Sequence, residues 1–341
     1  MSTATSKPQS VAPQPGSRVR DGVRSRANSG WIRERGVYIA LLVLIAYNAV
    51  ATHNFLTVAT VQLLFAQLPP VIIVSLGMAL VIGTGGVDLS VGATMAIASA
   101  VLAKFVVTGD KGFGLSIGIA ILAAIVAGML VGLFNGLVVA LAEVQPIVAT
   151  LGVLVAGRGI ALVITGGALI ELFVPFFKTV RLGKLFGVPY VMWVAVILGL
   201  LMALLVRKTA FGYRLLAIGG NRRASALAGL PVRRTIVIVY VLSGTLAAIA
   251  GVIATARLRA SDPSYIGLLI ELSAITAVVV GGTSLAGGKV RILGTIAGAV
   301  LIQLLETTLV SHNVPDSVAR MVEGLIIIGA VYIQRNSRSG R

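Results

Sequence analysis

The chain reads as an all-α polytopic membrane protein of about ten transmembrane helices, some of them broken. Three observations predict this class. Hydrophobic residues make up 57% of its 341 residues and charged residues only 11%, whereas soluble domains hold roughly 45–50% and about 25%. Mean hydropathy is +1.01. Apolar runs near the ~20 residues that a ~30 Å hydrocarbon core demands recur from residue 37 to residue 333. Backbone amides find no water in lipid, so each run is helical unless protein shields it. Cys is absent, which excludes disulfides and Cys-based metal sites.

Residues 1–36 come first. They carry Lys7, Arg18, Arg20, Arg24, Arg26, Arg33 and Arg35 among Ser and Pro, too polar to fold alone, and read as a disordered basic tail. A membrane domain is expected at 37–334, and a short tail at 335–341. Its spans are placed at 37–52, 61–83, 91–107, 114–141, 146–165, 190–206, 236–256, 268–283, 293–310 and 318–333. The first has no small-residue cleavage site before a soluble domain, so it reads as a retained span rather than a signal peptide. Pro69-Pro70 interrupts the second span by removing two backbone donors, and Gly83, Gly85 and Gly86 end it. Transporters use such breaks where protein or water lines the site; a mere packing kink is the plainer alternative. Gly128, Gly132 and Gly136, spaced by four, suit close helix packing. Gly85-Gly86-Val87-Asp88-Leu89-Ser90 echoes Gly281-Gly282-Thr283-Ser284-Leu285, as internal repeats of transporters do.

The net charge of +17, from 28 Lys+Arg against 11 Asp+Glu, has a topological reading. The basic residues border apolar spans, as cytoplasmic loops do, and no aromatic stacking motif accompanies them, so nucleic acid is not an expected partner. With the tail in the cytoplasm, ten crossings put 207–235 inside, with Arg207, Lys208, Arg214, Arg222, Arg223, Arg233 and Arg234. Lys289, Arg291 and the C-terminal arginines also fall inside, while Asp110, Asp262 and Asp316 fall outside. Only 166–189, with Lys178, Arg181 and Lys184, runs against the bias.

Catalytic motifs are missing. The stretch Thr283 to Val290 lacks the leading Gly of a Walker A loop and has Val290 where Ser or Thr binds Mg. His53 and His312 are far apart, and no GxSxG elbow occurs. The chain is therefore expected to be no enzyme and to bind no metal or cofactor. Polar groups inside spans are expensive and often functional: Asn48, Gln62, Gln67, Asn135, Arg158, Gln303 and Glu306, with Asp88 and Glu271 at span ends. No ladder of acids or His suits a proton relay, whereas Gln67 and Asn135 suit a neutral polyol. Gln67, Asn135, Asp88 and Glu271 are the candidate solute path, with helix-to-helix bonding or capping as the alternative.

Between Arg207 and Thr235 a short helical pattern at Arg223 to Leu230 follows the capping residue Asn221 and is closed by Pro231. It is either a docking helix or a basic topological loop. Here Lys208-Thr209-Ala210-Phe211-Gly212-Tyr213-Arg214, Ile218 to Asn221 and Ala224 to Gly229 resemble the coupling segment of ribose-type ABC importer permeases. Gly77 to Ile82 leading into Gly85 to Gly92, and Glu271 to Ile275 leading through Gly281 to Leu285 and Gly294-Thr295, resemble the same family. Gln145 to Leu151 and Ala156-Gly157-Arg158-Gly159 are most similar to its galactofuranose branch, though Ser273 stands where such permeases often have Asp.

The resemblance covers about 60 to 335 and implies a permease subunit in a bacterial inner membrane, and the charge bias puts both termini in the cytoplasm. It implies a cytoplasmic ATPase that uses ATP and Mg, a second identical or related permease subunit, a periplasmic sugar-binding protein and a monosaccharide substrate. Asn221, Arg222, Arg223, Ala224, Ala228 and Gly229 would form the ATPase-coupling helix, and Gly85, Gly86, Gly281 and Gly282 hinges or tight turns. An ion-coupled secondary transporter is the rival reading; a membrane enzyme would need paired acids or His around one cavity.

Overall fold

The computed structural model describes residues 36–106, 112–315 and part of 317–328. The basic N-terminal tail, Asp110, Asp316, the C-terminal tail and most of the span expected at 318–333 lie outside the described residues. Helix α1 (Gly36–Ala51) leads into α2 (Val58–Gly83), α3 (Val91–Val106), α4 (Ile117–Ala140) and α5 (Pro146–Thr165). Then come β1 (Ile170–Glu171), α6 (Pro175–Leu182), β2 (Lys184–Leu185), β3 (Val188–Pro189), α7 (Tyr190–Lys208), α8 (Ala210–Gly220) and α9 (Arg222–Leu227). The remainder is α10 (Val232–Leu258), β4 (Ala260–Ser261), α11 (Ile270–Val280) and α12 (Ile292–Ser311). The molecule is thus a polytopic helical membrane protein. The two-residue strands, paired β1–β4 and β2–β3, are local clasps that the hydropathy pattern does not reveal.

Among the described residues six helices, α2, α4, α5, α7, α10 and α12, are long and apolar enough to cross a membrane. The expectation of about ten transmembrane helices, some of them broken, meets three shorter apolar helices here, α1, α3 and α11. At 1.5 Å per residue, the 16 residues of α3 and 11 of α11 extend about 24 Å and 16 Å, short of the ~30 Å core. One expectation is corrected at Pro69-Pro70. Helix α2 runs through both without a break, and both are buried. Tertiary packing on α10, α11, α12 and α7 holds a segment that local propensity disfavours.

Helix α10 is the central post, packed along α4, α2 and α3. Its seam with α4 is built from small residues. A side chain on Gly128 would meet Ala248 and the Gly244 carbonyl; one on Gly132 or Gly136 would meet the backbone of Tyr240 or Val237. The glycine spacing of four therefore marks the antiparallel α4–α10 contact, where backbones approach closely.

Contacts to α10 also fix depth. The Asp88 carboxylate accepts from Ser243 Oγ at 2.8 Å, and the Met95 backbone lies against Gly251. Helix α3 therefore starts level with the middle of α10. The Gly267 carbonyl closes on Gly92, so the segment after β4 also returns to mid-depth before α11 begins. Two half-helices thus start near one another at the centre of the bundle and run to opposite ends.

One end gathers the turn after α2, the end of α8 and the loop before α12. Gly288 N donates to the Gly83 carbonyl at 3.0 Å, and Gly219 abuts both residues. This end also carries Arg207, Lys208, Arg214, Arg222, Arg223, Arg233 and Arg234, and is called the basic end below. The clasps and α6 lie at the other end, where Lys184 Nζ meets Gln62 Oε1 near the start of α2.

Candidate functional site

A funnel opens at the end opposite the basic loops. Its volume is about 390 Å³, within the ~300–1,000 Å³ range of small-ligand sites. Helix α2 contributes Gln67, α12 contributes Gln303 and Glu306, and the re-entrant segment contributes Tyr265. Leu269, Ile270 and Ser273 form part of its floor, at the start of α11. Gln303 and Glu306 share a helix face because they are three residues apart; Gln303 Nε2 donates to Glu306 Oε2 at 3.1 Å and to Gln67 Oε1 at 3.4 Å. Neutral donors and acceptors, the Glu306 carboxylate, the Arg257 guanidinium and an apolar wall form this lining, so one acid and one base offset each other and the neutral groups match hydroxyls.

The four expected path residues separate. Gln67 lines the funnel. Asn135 is fully buried on α4, away from that lining, and donates to Ser90 Oγ at 2.7 Å. Ser90 Oγ and N in turn donate to Asp88 Oδ1 at 2.6 and 3.1 Å. With Ser243 this forms one buried chain, Asn135–Ser90–Asp88–Ser243, that ties the start of α3 to α4 and α10. Glu271 lies beneath the funnel floor, only 4% exposed, with Oε2 facing Gly92 and without a hydrogen-bond partner. Arg158 clamps the re-entrant segment, since Nη1 donates to the Pro263 and Ile266 carbonyls at 2.7 Å each.

The four glycines have two distinct jobs. Gly85 and Gly282 adopt φ of +83° and +87°, the left-handed cap that ends a helix. Gly86 N returns to Val81 O at 3.2 Å and Thr283 N to Val278 O at 3.1 Å. The internal echo is therefore a repeated cap, one residue out of the register that the glycine letters suggest: Gly85 matches Gly282, and Gly86 matches Thr283. Gly86 and Gly281 instead allow close approach, to the Tyr240 hydroxyl and to Gly294 respectively.

At the basic end, Asn221 caps α9 by accepting from Ala224 N at 2.9 Å. The helix is Arg222–Leu227 rather than the expected Arg223 to Leu230. Residues 210–220, read as loop, form α8, with the Thr209 side chain capping it. Gly229 turns at φ +77° with open space around it. Arg222, Arg223, Ala224, Ala228 and Gly229 are all exposed, while Ser225 is buried. Leu227, which sequence reasoning passed over, is 85% exposed at the tip. Gln303, Glu306 and Ser273 were visible in the sequence as polar positions; the 303/306 spacing was the signal that could have joined them to Gln67.

Residues 60–331 match the protein family described as branched-chain amino acid transport system / permease component. The chain is 40% identical over 301 residues to a galactofuranose transporter permease protein of Escherichia coli (strain K12), covering 86% of this chain and 87% of that one. It is 37% identical to a ribose import permease protein of Bacillus subtilis (strain 168), covering 90% and 94%. A ribose import permease protein of Escherichia coli (strain K12) is 36% identical, covering 90% and 95%. No solved structure matches the chain.

Proposed function

The chain belongs to the family of branched-chain amino acid transport system permease components, and from that premise we propose that it is the membrane-spanning subunit of an ATP-driven importer for a neutral monosaccharide such as galactofuranose or ribose. The observation that carries the substrate class is the funnel, whose Gln67, Gln303, Glu306 and Ser273 offer hydrogen bonds to hydroxyls. The named relatives, which transport galactofuranose or ribose, support the same class.

In this reading the funnel end is periplasmic and receives sugar from a binding protein. The basic end is cytoplasmic, as the positive-inside bias favours, and both termini lie there, with ten membrane elements if α1, α3, α11 and the last span are counted with the six long helices. Helix α9, with Asn221 as cap and Leu227 at its tip, docks on an ATPase, which supplies ATP and Mg chemistry; this chain holds no nucleotide. A second permease subunit completes the path. Motion of α9 with the ATPase is coupled to the funnel by rigid helices. The 1–36 tail is cytoplasmic and outside the permease domain at 37–334.

The test is uptake of labelled sugar into proteoliposomes containing this chain, its ATPase and its binding protein. ATP-dependent uptake that stops without either partner is expected. Uptake driven by an ion gradient in the chain alone would overturn the proposal in favour of a secondary transporter.

A further inference from the structure

A second cavity lies at the basic end, between α9, the start of α10 and the loop after α4. Its volume is about 630 Å³, and Arg222, Arg223, Arg233, Arg234 and Glu143 line it. Glu143 is engaged by Arg233 at 3.2 Å. Arg222, Arg223 and Arg234 form no ion pair among the described residues. The cleft thus has an excess of guanidinium groups, which bind phosphate oxygens through paired N–H donors.

Its surroundings identify the kind of anion. The cleft sits where α4 ends and α5 begins, and these two helices are the least buried of the six long ones, at 22% and 17%. Leu137, Leu141, Ile147 and Val148, within six residues of Glu143 in the chain, expose apolar surface. Cations at the edge of a membrane, next to an apolar shelf, fit an amphiphile with an anionic head. An acidic protein surface would satisfy the arginines but leave the shelf uncovered.

We propose that this cleft binds the phosphodiester headgroup of an anionic phospholipid, whose acyl chains lie on the shelf of Leu137, Leu141, Ile147 and Val148. The site is separate from the funnel and does not depend on which solute is carried. Because α9 forms one wall, a bound lipid braces the helix against the start of α10.

The test uses the full chain, delipidated in detergent and then offered phosphatidylglycerol or phosphatidylcholine, with retained lipid counted by native mass spectrometry. Phosphatidylglycerol should be retained preferentially. The double variant R222Q/R234Q should lose that preference roughly thirtyfold, at about one tenfold step or less per basic group near the surface. R222K/R234K should keep most of it, which guards against a folding artefact, and R207Q, outside the cleft, should keep all of it. L141Q should weaken lipid retention without changing competition by inorganic phosphate. Equal retention of both lipids by the unaltered chain would overturn the proposal, as would an undiminished preference in R222Q/R234Q. Displacement of phosphatidylglycerol by millimolar inorganic phosphate, with no effect of L141Q, would show a free-anion site instead. Loss of ATPase binding in R222Q/R234Q with lipid preference intact would assign the cleft to an acidic protein partner.

Discussion

Gly85 and Gly282 sit at φ values of +83° and +87°, a region that costs other residues about 1–3 kcal/mol. A Cβ on Gly85 would meet nothing closer than the Ala286 carbonyl at 3.7 Å, so its cost is conformational rather than steric. Gly85→Ala is therefore expected to lower stability in mixed-micelle unfolding by about 1–3 kcal/mol, and Gly85→Asn by less, because Asn tolerates the left-handed region. Equal losses from both would show that the position is governed by space. The path residues divide in a similar way. Asn135→Leu removes the donor to Ser90 in a fully buried chain, at a cost of about 1–3 kcal/mol, and should show first as loss of assembled protein. Gln67→Leu and Gln303→Leu alter only the funnel lining and should leave the assembled amount unchanged while sugar uptake falls. Normal uptake by both funnel variants would place the path elsewhere. Both Gln67 and Asn135 were legible as polar groups in apolar spans. Their different fates were not, because burial in lipid penalises either residue alike and only tertiary partners separate a lining group from a tie.

Among the elements, α9 is the one whose cap could be read from sequence and whose contact surface could not. Asn221 preceding a small-residue run predicts the N-terminus by local chemistry, and the structure places the bond at Ala224 N. Which side chains face outward depends on how α8 and α10 hold the helix. Burial of Ser225 and exposure of Leu227 put an apolar tip where small residues alone were expected. Covering a Leu is worth roughly 1.5–3 kcal/mol, a tenfold or greater effect on binding. Leu227→Asp should accordingly weaken co-purification of the ATPase at least tenfold and release its ATP hydrolysis from sugar control, whereas Ala228→Ser should do little. Unchanged recruitment by Leu227→Asp would reduce the loop to a topological role. The half-helices show a different limit. Hydropathy marks α3 and α11 as apolar, but their depth is set by Asp88 on Ser243 and Gly267 on Gly92. These contacts span long stretches of chain and leave no periodic trace.

On the scale of the whole molecule, charge predicts which loops share a side, and contacts between distant segments show which described loops share an end. The turn after α2 and the loop before α12 meet at one end, where the Gly83 carbonyl accepts from Gly288 N, and Lys184 meets Gln62 at the other. The loop at 166–189 broke the charge bias because charge was the only guide. In the structure its chain is held by pairing of β1 with β4 and by the Lys184–Gln62 contact, so two of its features answer to folding rather than to insertion. This gives a topological test that the absence of Cys makes clean. Single Cys residues at Leu227 and at Phe186, 85% and 89% exposed at opposite ends, should react from opposite sides of the membrane. In intact spheroplasts an impermeant maleimide should label Phe186→Cys at once and Leu227→Cys only after lysis. Labelling of Leu227→Cys in intact spheroplasts, with Phe186→Cys protected, would invert the orientation and with it the funnel's assignment as the entry. Labelling of both would mean that the two ends do not lie across the membrane from one another. The expected pattern follows from energy as well as from counting: the arginines between residues 207 and 234 face no compensating acid other than Glu143 at 3.2 Å from Arg233 among the described residues. Moving such a set across the hydrocarbon costs several kcal/mol for each unpaired group even on the most lenient scale, at about 2.5–3.5 kcal/mol per Arg. The side on which these arginines stay therefore fixes the direction in which the funnel faces.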